Sequence, residues 1–456
     1  MKIFNTLSGK KEIFEPIEDN KIRMYVCGMT VYDDTHIGHA RTFLSFDLIV
    51  RYLRSIDYEV QYIRNITDVD DKIIARSEEL NISPSELTKD CINSMHDDFQ
   101  ALGMISPDAE PRATENIDSI ISLITKLIDK GHAYVSESDV YFSTESFEEY
   151  GKLSKRKLED MLSGARIDID LDKKNPADFV LWKKDTEGLK WDSPWGPGRP
   201  GWHIECSAMS MDALGETFDI HGGGSDLKFP HHENEIAQSE CVTGKEFAKV
   251  WMHTGSLRID EQKMSKSLKN FITIKEALND SSSEVLRFFL ISSHYRSPLN
   301  YSDEGLKEAK NSLDRLYNSL QDLSYETDEH IPSEYSEKFH DAMQDDFNSP
   351  SAISVLFEMV KQINILKKED QLTHANALAS ELISLSNILG ILSENPEEYF
   401  TSGINLSNED IEQAIERRNI ARQEKDFELS DKIRDDLLRE GIIVEDKGTK
   451  TIWKKS

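Results

Sequence analysis

Cysteine is scarce: Cys27, Cys91, Cys206 and Cys241 are the whole complement of a 456-residue chain. With no Cys-x-x-Cys among them they form neither a disulfide framework nor a paired-thiol redox motif, and a reducing compartment is expected. Long apolar runs are missing as well, since none reaches the ~20 residues that span a bilayer. The opening Met-Lys-Ile-Phe-Asn-Thr has neither the apolar core of a secretory signal nor an Arg-rich transit pattern, which points to the cytoplasm. The Asn-x-Ser/Thr strings at Asn65 and Asn81 therefore carry no glycosylation reading. Positive charge is short: 54 Lys and Arg stand against 84 Asp and Glu, a net charge of −30. That balance argues against non-specific nucleic-acid binding, which needs concentrated cations, but not against one local basic face. The remaining composition, 38% hydrophobic and 30% charged, is that of a soluble globular protein with room for two to four domains.

What is present is concentrated in a few stretches. Residues Ile22 to Val26 form a short apolar run that reads as a buried strand ending at Cys27. His36, Gly38 and His39 then open a helical pattern, with Ala40, Phe43, Leu44, Leu48, Ile49 and Leu53 on one face. A second strand-like run, Tyr58 to Arg64, completes a βαβ unit. In such units ligands bind at the carboxyl ends of the strands beside helix N-termini, where free N–H groups and the helix dipole favour phosphate.

A helix is expected from Asn116 to Lys130, stopped by Gly131. Residues 132–200 look irregular and hold two decoys. Asp168, Asp170 and Asp172 alternate like a calcium loop, but Lys173 stands where the turn needs glycine and Phe179 where it needs glutamate. Gly196-Pro-Gly-Arg-Pro-Gly201 matches a dinucleotide fingerprint in form only, because proline supplies no amide for a phosphate cradle.

Residues 201–270 are again dense in Gly, His and Cys. His231 and Glu235, four residues apart, share a helix face, and with Cys27 and Cys206 they make a two-thiol, imidazole and carboxylate set suited to Zn²⁺. His203 and His232 are alternative ligands, while Cys91 and Cys241 read as structural thiols. Beyond residue 293 the spacing predicts three helices of a bundle: one capped by Ser302 or Asp303, one opened by Pro350, and one from about Thr373 to Leu389. An acidic segment, Glu334 to Asp346, lies between them, and Asn395 to Ser407 reads as a linker. Two short helices divided near Phe427 follow, then a hairpin of Ile442–Val444 with Thr451–Trp453. From Arg417 to Ser456 there are 11 Lys and Arg against 9 Asp and Glu. That shift makes the tail the expected polyanion contact.

The string His36-Ile-Gly-His39, followed more than two hundred residues later by Lys263-Met-Ser-Lys-Ser267, resembles the signature pair of class I aminoacyl-tRNA synthetases. The strings Tyr25-Val-Cys-Gly-Met-Thr-Val-Tyr-Asp33, Thr67-Asp-Val-Asp-Asp-Lys72, Pro200-Gly-Trp-His-Ile-Glu-Cys-Ser207 and Phe229-Pro-His-His-Glu-Asn-Glu235 resemble the cysteinyl-tRNA synthetase family. So do Asp345-Asp-Phe-Asn-Ser-Pro350 and Gly448-Thr-Lys-Thr-Ile-Trp453, and the likeness covers nearly the whole chain.

The resemblance implies an α/β, Rossmann-like catalytic domain split by an insertion: first half 1–110, connective insertion 111–200, second half 201–295. A helical, tRNA-binding bundle (296–394) and a linker with a small α+β anticodon-binding module (395–456) would follow. It further implies ATP, with Mg²⁺, bound between the two motifs. His36, His39, Lys263 and Lys266 would be catalytic, and Gly28, Gly38, Thr67, Trp202, Gly224, Asp226 and Lys266 would hold the substrates. Asp226 would take either the ribose or the substrate amino group. One zinc ion on Cys27, Cys206, His231 and Glu235 would bind the substrate thiolate, and the partners would be L-cysteine, ATP and the cysteine tRNA. Arg417, Arg418, Arg422 and Trp453 are candidates for stacking on unpaired bases. A monomer is expected. Two rivals remain at this level: a ligase passing cysteine to a small-molecule amine, against which the terminal module argues, and a non-catalytic tRNA- or zinc-binding paralogue, against which the intact motifs argue.

Overall fold

The computed structural model describes residues 1–137, 139–156, 172–185, 188–259, 262–263, 271–325, 333–401, 408–447 and 450–455. The chain divides into two compact units. The first holds Met1–Ser312, Pro332–Phe357 and Ile388–Ile391; the second holds Leu313–Ile331, Glu358–Asn387 and Leu392–Ser456.

In the first unit, β1 (Lys2–Asn5) and β2 (Lys10–Ile13) pair as an antiparallel hairpin. The organising sheet begins with β3 (Lys21–Val26) and β4 (Glu59–Arg64), which run parallel in register Val26↔Arg64. The expected helix, Ile37–Ser55, makes the crossover, and every predicted apolar position from Ala40 to Leu53 is buried. Its second turn also carries a buried cation. Arg41 donates to the carbonyls of Leu290, Ser293 and His294, so the end of the Ser283–Ile291 helix is tied to the start of this one.

Residues 132–200, expected to be irregular, contain a four-stranded antiparallel sheet in the order β5 (Ala133–Val135), β6 (Asp139–Phe142), β7 (Phe179–Lys184) and β8 (Gly198–Pro200). Strands of three to six residues offer too little alternation to stand out in sequence. The glycine-rich decoy lies at its edge. Gly198 donates to the Trp191 carbonyl and Gly201 to the Leu181 carbonyl, so these amides are spent on structure. Of the calcium-loop decoy, Asp168 and Asp170 lie outside the described residues.

The chain then returns to the parallel sheet with β9 (Phe218–Gly224) and β10 (Ala248–Thr254), giving the order β10-β9-β3-β4 with every pair parallel. This is the Rossmann-like arrangement, with Ile22, Met24, Tyr25, Val26, Ile220 and Met252 wholly buried in it. A small sheet of β11 (Leu257–Ile259), β12 (Gln262–Lys263) and β13 (Leu299–Tyr301) follows.

Downstream the fold is helical, as expected: Asp303–Leu320, Ser349–Lys368 and Leu372–Ile388 match the three predicted helices within two residues at their starts. The acidic segment is itself a helix, Glu334–Gln344, burying Phe339 and Met343. Within the expected linker lies another short helix, Pro396–Thr401. In the second unit Tyr399 stacks on Tyr317 with ring centroids 3.8 Å apart, and its hydroxyl donates to Asp314. Tyr399 and Asp314 thus give this segment a packing role that composition alone does not reveal. The unit ends with helices Asn408–Gln423 and Phe427–Arg439 and the hairpin β14 (Ile442–Lys447) and β15 (Lys450–Lys455), in register Val444↔Trp453. Ile411, Ala414, Ile415, Leu437 and Ile442 form its small core.

Candidate active site and metal cluster

Both candidate sites stand at the carboxyl ends of β3 and β9. Cys27 follows the last residue of β3 directly, and its amide donates to the Gly222 carbonyl of β9. The next residue must be glycine. A Cβ on Gly28 would lie 1.7 Å from the Asn65 carbonyl oxygen. Its amide donates to the Asn65 side chain at 2.8 Å, which fixes the turn after β3.

His36 caps the Ile37–Ser55 helix reciprocally with His39. His36 Nδ1 accepts from the His39 amide at 3.2 Å, the His36 amide faces His39 Nδ1 at 3.4 Å, and the rings stack 3.5 Å apart. The two imidazoles are therefore held together at a helix N-terminus, where anions are favoured. They line a cleft of about 250 Å³ with Gly38, Thr42, Gly224, Ser225, Asp226, Thr254 and Phe271. The flank of the second motif reaches this place: Phe271 packs on His36 at 5.1 Å, and Ile37 donates to the Ile272 carbonyl. Lys263 lies in β12, opposite Arg258, while Lys266 falls outside the described residues.

The second group is buried. Cys27, Cys206, His231 and Glu235 each offer a ligand atom, all within 4.8 Å of one another. Cys27 Sγ is 3.3 Å from a Glu235 oxygen and 3.6 Å from His231 Nε2, and His231 Nε2 is 3.1 Å from that carboxylate. Cys206 and Trp202 come from the Trp202–Leu214 helix, and Glu235 from the Glu233–Thr243 helix. Burial, then the neighbouring Cys206 and Glu235, push the Cys27 thiol well up. The hydrogen bond from Cys27 outweighs burial at Cys206 and draws it down to about 6. Burial opposes charge on His231 and Glu235, yet Glu235 and Cys206 hold His231 up at about 10, and His221 and His231 keep the Glu235 carboxyl well below its usual range. Sulfur, imidazole and carboxylate donors concentrated away from water are the chemistry that binds a soft or borderline cation.

Around this set lies a shell of histidines that only partly shows in sequence. His221 bonds the second Glu235 oxygen at 2.8 Å, His203 shares a hydrogen bond with His231 at 2.9 Å, and His232 does so with His253 at 2.9 Å. Cys27, His221, His232 and Glu235 form a second, overlapping ligand group. The His221-Gly-Gly-Gly string explains its own glycines here. A Cβ on Gly223 would sit 2.8 Å from the His232 ring. His253, alone at the end of β10, gave no sequence signal.

Trp202, 38% exposed, stacks on His231 with ring centroids 4.3 Å apart, so one face of that ligand ring is covered by indole. Thr67 is buried, with its carbonyl accepting from Val31 and its amide donating to Met29. Glu205, unassigned in sequence, is fully buried, and neither carboxylate oxygen has a hydrogen bond of good geometry. Burial, then Cys206, raises its pKa well above the usual range, and the nearby Thr67 hydroxyl only partly offsets this.

In the terminal module, three of the four stacking candidates have polar partners within the fold. Arg418 is buried and bonds both oxygens of Asp446 at 3.1 Å, and Arg422 joins the same carboxylate. The Trp453 indole donates to Glu412. Arg417 is exposed.

Comparison with known proteins matches residues 13–311 to the family described as tRNA synthetases class I (C) catalytic domain, and residues 338–393 to the DALR domain. The chain is 53% identical to a cysteine–tRNA ligase of Hahella chejuensis over 469 residues, and 52% identical to those of Haemophilus influenzae and Coxiella burnetii, covering 100% of both sequences in each case. Among solved structures it resembles a methionyl-tRNA synthetase of Mycobacterium tuberculosis bound by methionyl-adenylate, with TM-score 0.62 and 15% identity over 83% of this chain and 95% of that one. A leucyl synthetase–tRNA complex from Agrobacterium radiobacter gives 0.57 and 11% over 85% of each chain. At these identities the structural likeness concerns the fold alone.

Proposed function

The chain belongs to the cysteine–tRNA ligases of the class I aminoacyl-tRNA synthetases, and from that premise we propose how its residues divide the work of charging tRNA with cysteine at the expense of ATP. In the first half-reaction the substrate carboxylate attacks the α-phosphorus, forming cysteinyl-adenylate and releasing pyrophosphate. Negative charge gathers on phosphate oxygens, so positioning and charge stabilisation carry the rate. His36 and His39, paired at the helix N-terminus, donate to those oxygens. Lys263 and Lys266 neutralise the departing pyrophosphate, with Mg²⁺ accompanying ATP. Gly38 admits the nucleotide base without a Cβ in the way. Gly28, close against Asn65, and Gly224, close against Asp226, shape the strand ends around the substrates, and Asp226, sharing the cleft with His36 and Gly38, takes the ribose hydroxyls. The cysteinyl group then passes to the 3′-terminal adenosine of the tRNA.

Selectivity rests on the buried cluster, and its donor set is the observation that carries the reading. A zinc ion held by Cys27, Cys206, His231 and Glu235 would supply an affinity for thiolate that serine's hydroxyl cannot match, a distinction an apolar pocket makes poorly. Trp202 covers the side chain and excludes water, and Thr67 meets the polar end of the amino acid. The helices of 296–394 and the module of 395–456 contact the tRNA, with Arg417 and Arg422 the exposed arginine candidates on the terminal helices. The enzyme works as a monomer in the cytoplasm; among the described residues no helix is long and apolar enough to cross a membrane.

The test is ATP–pyrophosphate exchange with cysteine and with serine, before and after chelation, on the native chain and on Cys206→Ser. Exchange should require cysteine and metal. The variant should lose both zinc and cysteine-dependent exchange while still binding ATP. Exchange indifferent to the chelator, or a full zinc content in Cys206→Ser, would overturn the ligand set.

A further inference from the structure

Residues 150–156, which leave the antiparallel insertion sheet, run along the segment that carries His231 and Glu235. Four contacts join them. Tyr150 donates its hydroxyl to Asn234, Lys152 bonds Glu240, and the Arg156 guanidinium lies 4.8 Å over the Phe229 ring. The fourth is the most demanding. Glu233 has no exposed surface, and its two oxygens accept from three backbone amides: Gly151 at 3.0 Å, Leu153 at 3.2 Å and Ser154 at 2.7 Å. A carboxylate taken wholly out of water persists only where its lone pairs are met, and here one short loop meets them.

Glu233 sits two residues from His231 and two from Glu235. Residues four apart share a helix face, and the residue between them points roughly the other way. The ligands thus look into the cluster while Glu233 looks into the 151–154 loop. Rotating or sliding this turn would move the ligands and strain the amide contacts together, so the clasp resists any such shift.

We propose that Glu233 is a positioning residue for the metal centre: clasped by the amides of residues 151–154, it lets the insertion hold His231 and Glu235 in their ligating places. The inference rests on the zinc reading above. It predicts that cysteine selection depends on a part of the chain that contributes no ligand, as groups behind metal ligands commonly tune affinity about 10–100-fold.

The experiment uses the full-length zinc-loaded enzyme and Glu233→Gln, in which an amide NH₂ would face a backbone donor. Two readouts are taken: zinc release to a colorimetric chelator, and KM for cysteine beside KM for ATP in pyrophosphate exchange. Release should quicken and KM for cysteine rise by about tenfold or more, with KM for ATP unchanged. Tyr150→Phe, which keeps the ring and removes one neighbouring tie, should move both readouts the same way by less. Lys152→Ala, which cuts the tie at Glu240 farther along the helix, should leave zinc release unaltered. Native release and native KM for cysteine in Glu233→Gln would overturn the proposal, as would equal rises in both KM values, which mean general loosening. A native enzyme without zinc would instead sink the metal reading itself.

Discussion

Gly28 shows how one residue ties the metal cluster to the strand that presents it. Its missing Cβ would fall on backbone atoms of Asn65, at 1.7 Å from the oxygen and 2.8 Å from the carbon, so no side-chain rotation could make room. Gly28→Ala must push β3 and β4 apart just where Cys27 leaves the sheet. The expected cost is at the upper end of the roughly 1–3 kcal/mol of overpacked cores, read as a lower denaturant midpoint with an unchanged slope. Zinc content should fall as well, because Cys27 moves with the turn. Unaltered stability would mean that the close approach relaxes freely. At this scale the sequence was most legible where unusual residue types crowd together, as in residues 200–207 and 229–235. It was least legible for residues whose meaning comes only from the partner. His253 is a lone histidine in a strand, and Glu233 an ordinary acidic residue, until the fold sets His232 beside the first and three amides around the second.

Elements were readable in proportion to their length. The Ile37–Ser55 helix announces itself over five turns of spacing, whereas the insertion strands and the Pro396–Thr401 helix are too short to build a period and are set by tertiary contacts such as Tyr399 on Tyr317. Charged helices mislead in another way, since a cation reads the same whether it faces solvent or a buried partner. Arg418 is the clear case, because it joins the Asn408–Gln423 helix to the terminal hairpin through Asp446. Arg418 first, with Thr451 and Arg422, holds the Asp446 carboxyl well below its ordinary value, outweighing the opposing effect of desolvation. A depressed folded pKa contributes stability that is present above the unfolded carboxylate value of ~3.9 and fades as pH falls through the folded one. Hydrogen exchange of the module's amides should therefore speed up as pH drops below about 4, after correction for intrinsic rates. Arg418→Ala should weaken protection at neutral pH and flatten that acid loss. An acid response unchanged in Arg418→Ala would show that the pair does not hold the module together.

For the whole molecule the question is which unit senses the tRNA, since a net charge of −30 is poorly suited to a polyanion. The tail from Arg417 reverses the balance locally, and it packs with the helix start before it into a core of Ile411, Ala414, Ile415, Leu437 and Ile442. That core shares no residue with the cleft or the cluster, which both belong to the first unit. The structure also indicates where to cut. Ending the chain at residue 407 keeps Tyr399 on Tyr317, whereas a cut at 395, the start of the apparent linker, would strip that packing and confuse two effects. Removal of 408–456 should leave cysteine-dependent pyrophosphate exchange near the native rate. Charging should fall about 100-fold in kcat/KM, the order expected when stacking worth ~1–3 kcal/mol per base is lost. Adding back high tRNA concentration should recover much of the rate, because the missing contacts bind rather than react. If exchange and charging fell together, the module would be a structural support for the catalytic unit; if neither fell, recognition of the tRNA would lie upstream, in the helices before residue 395.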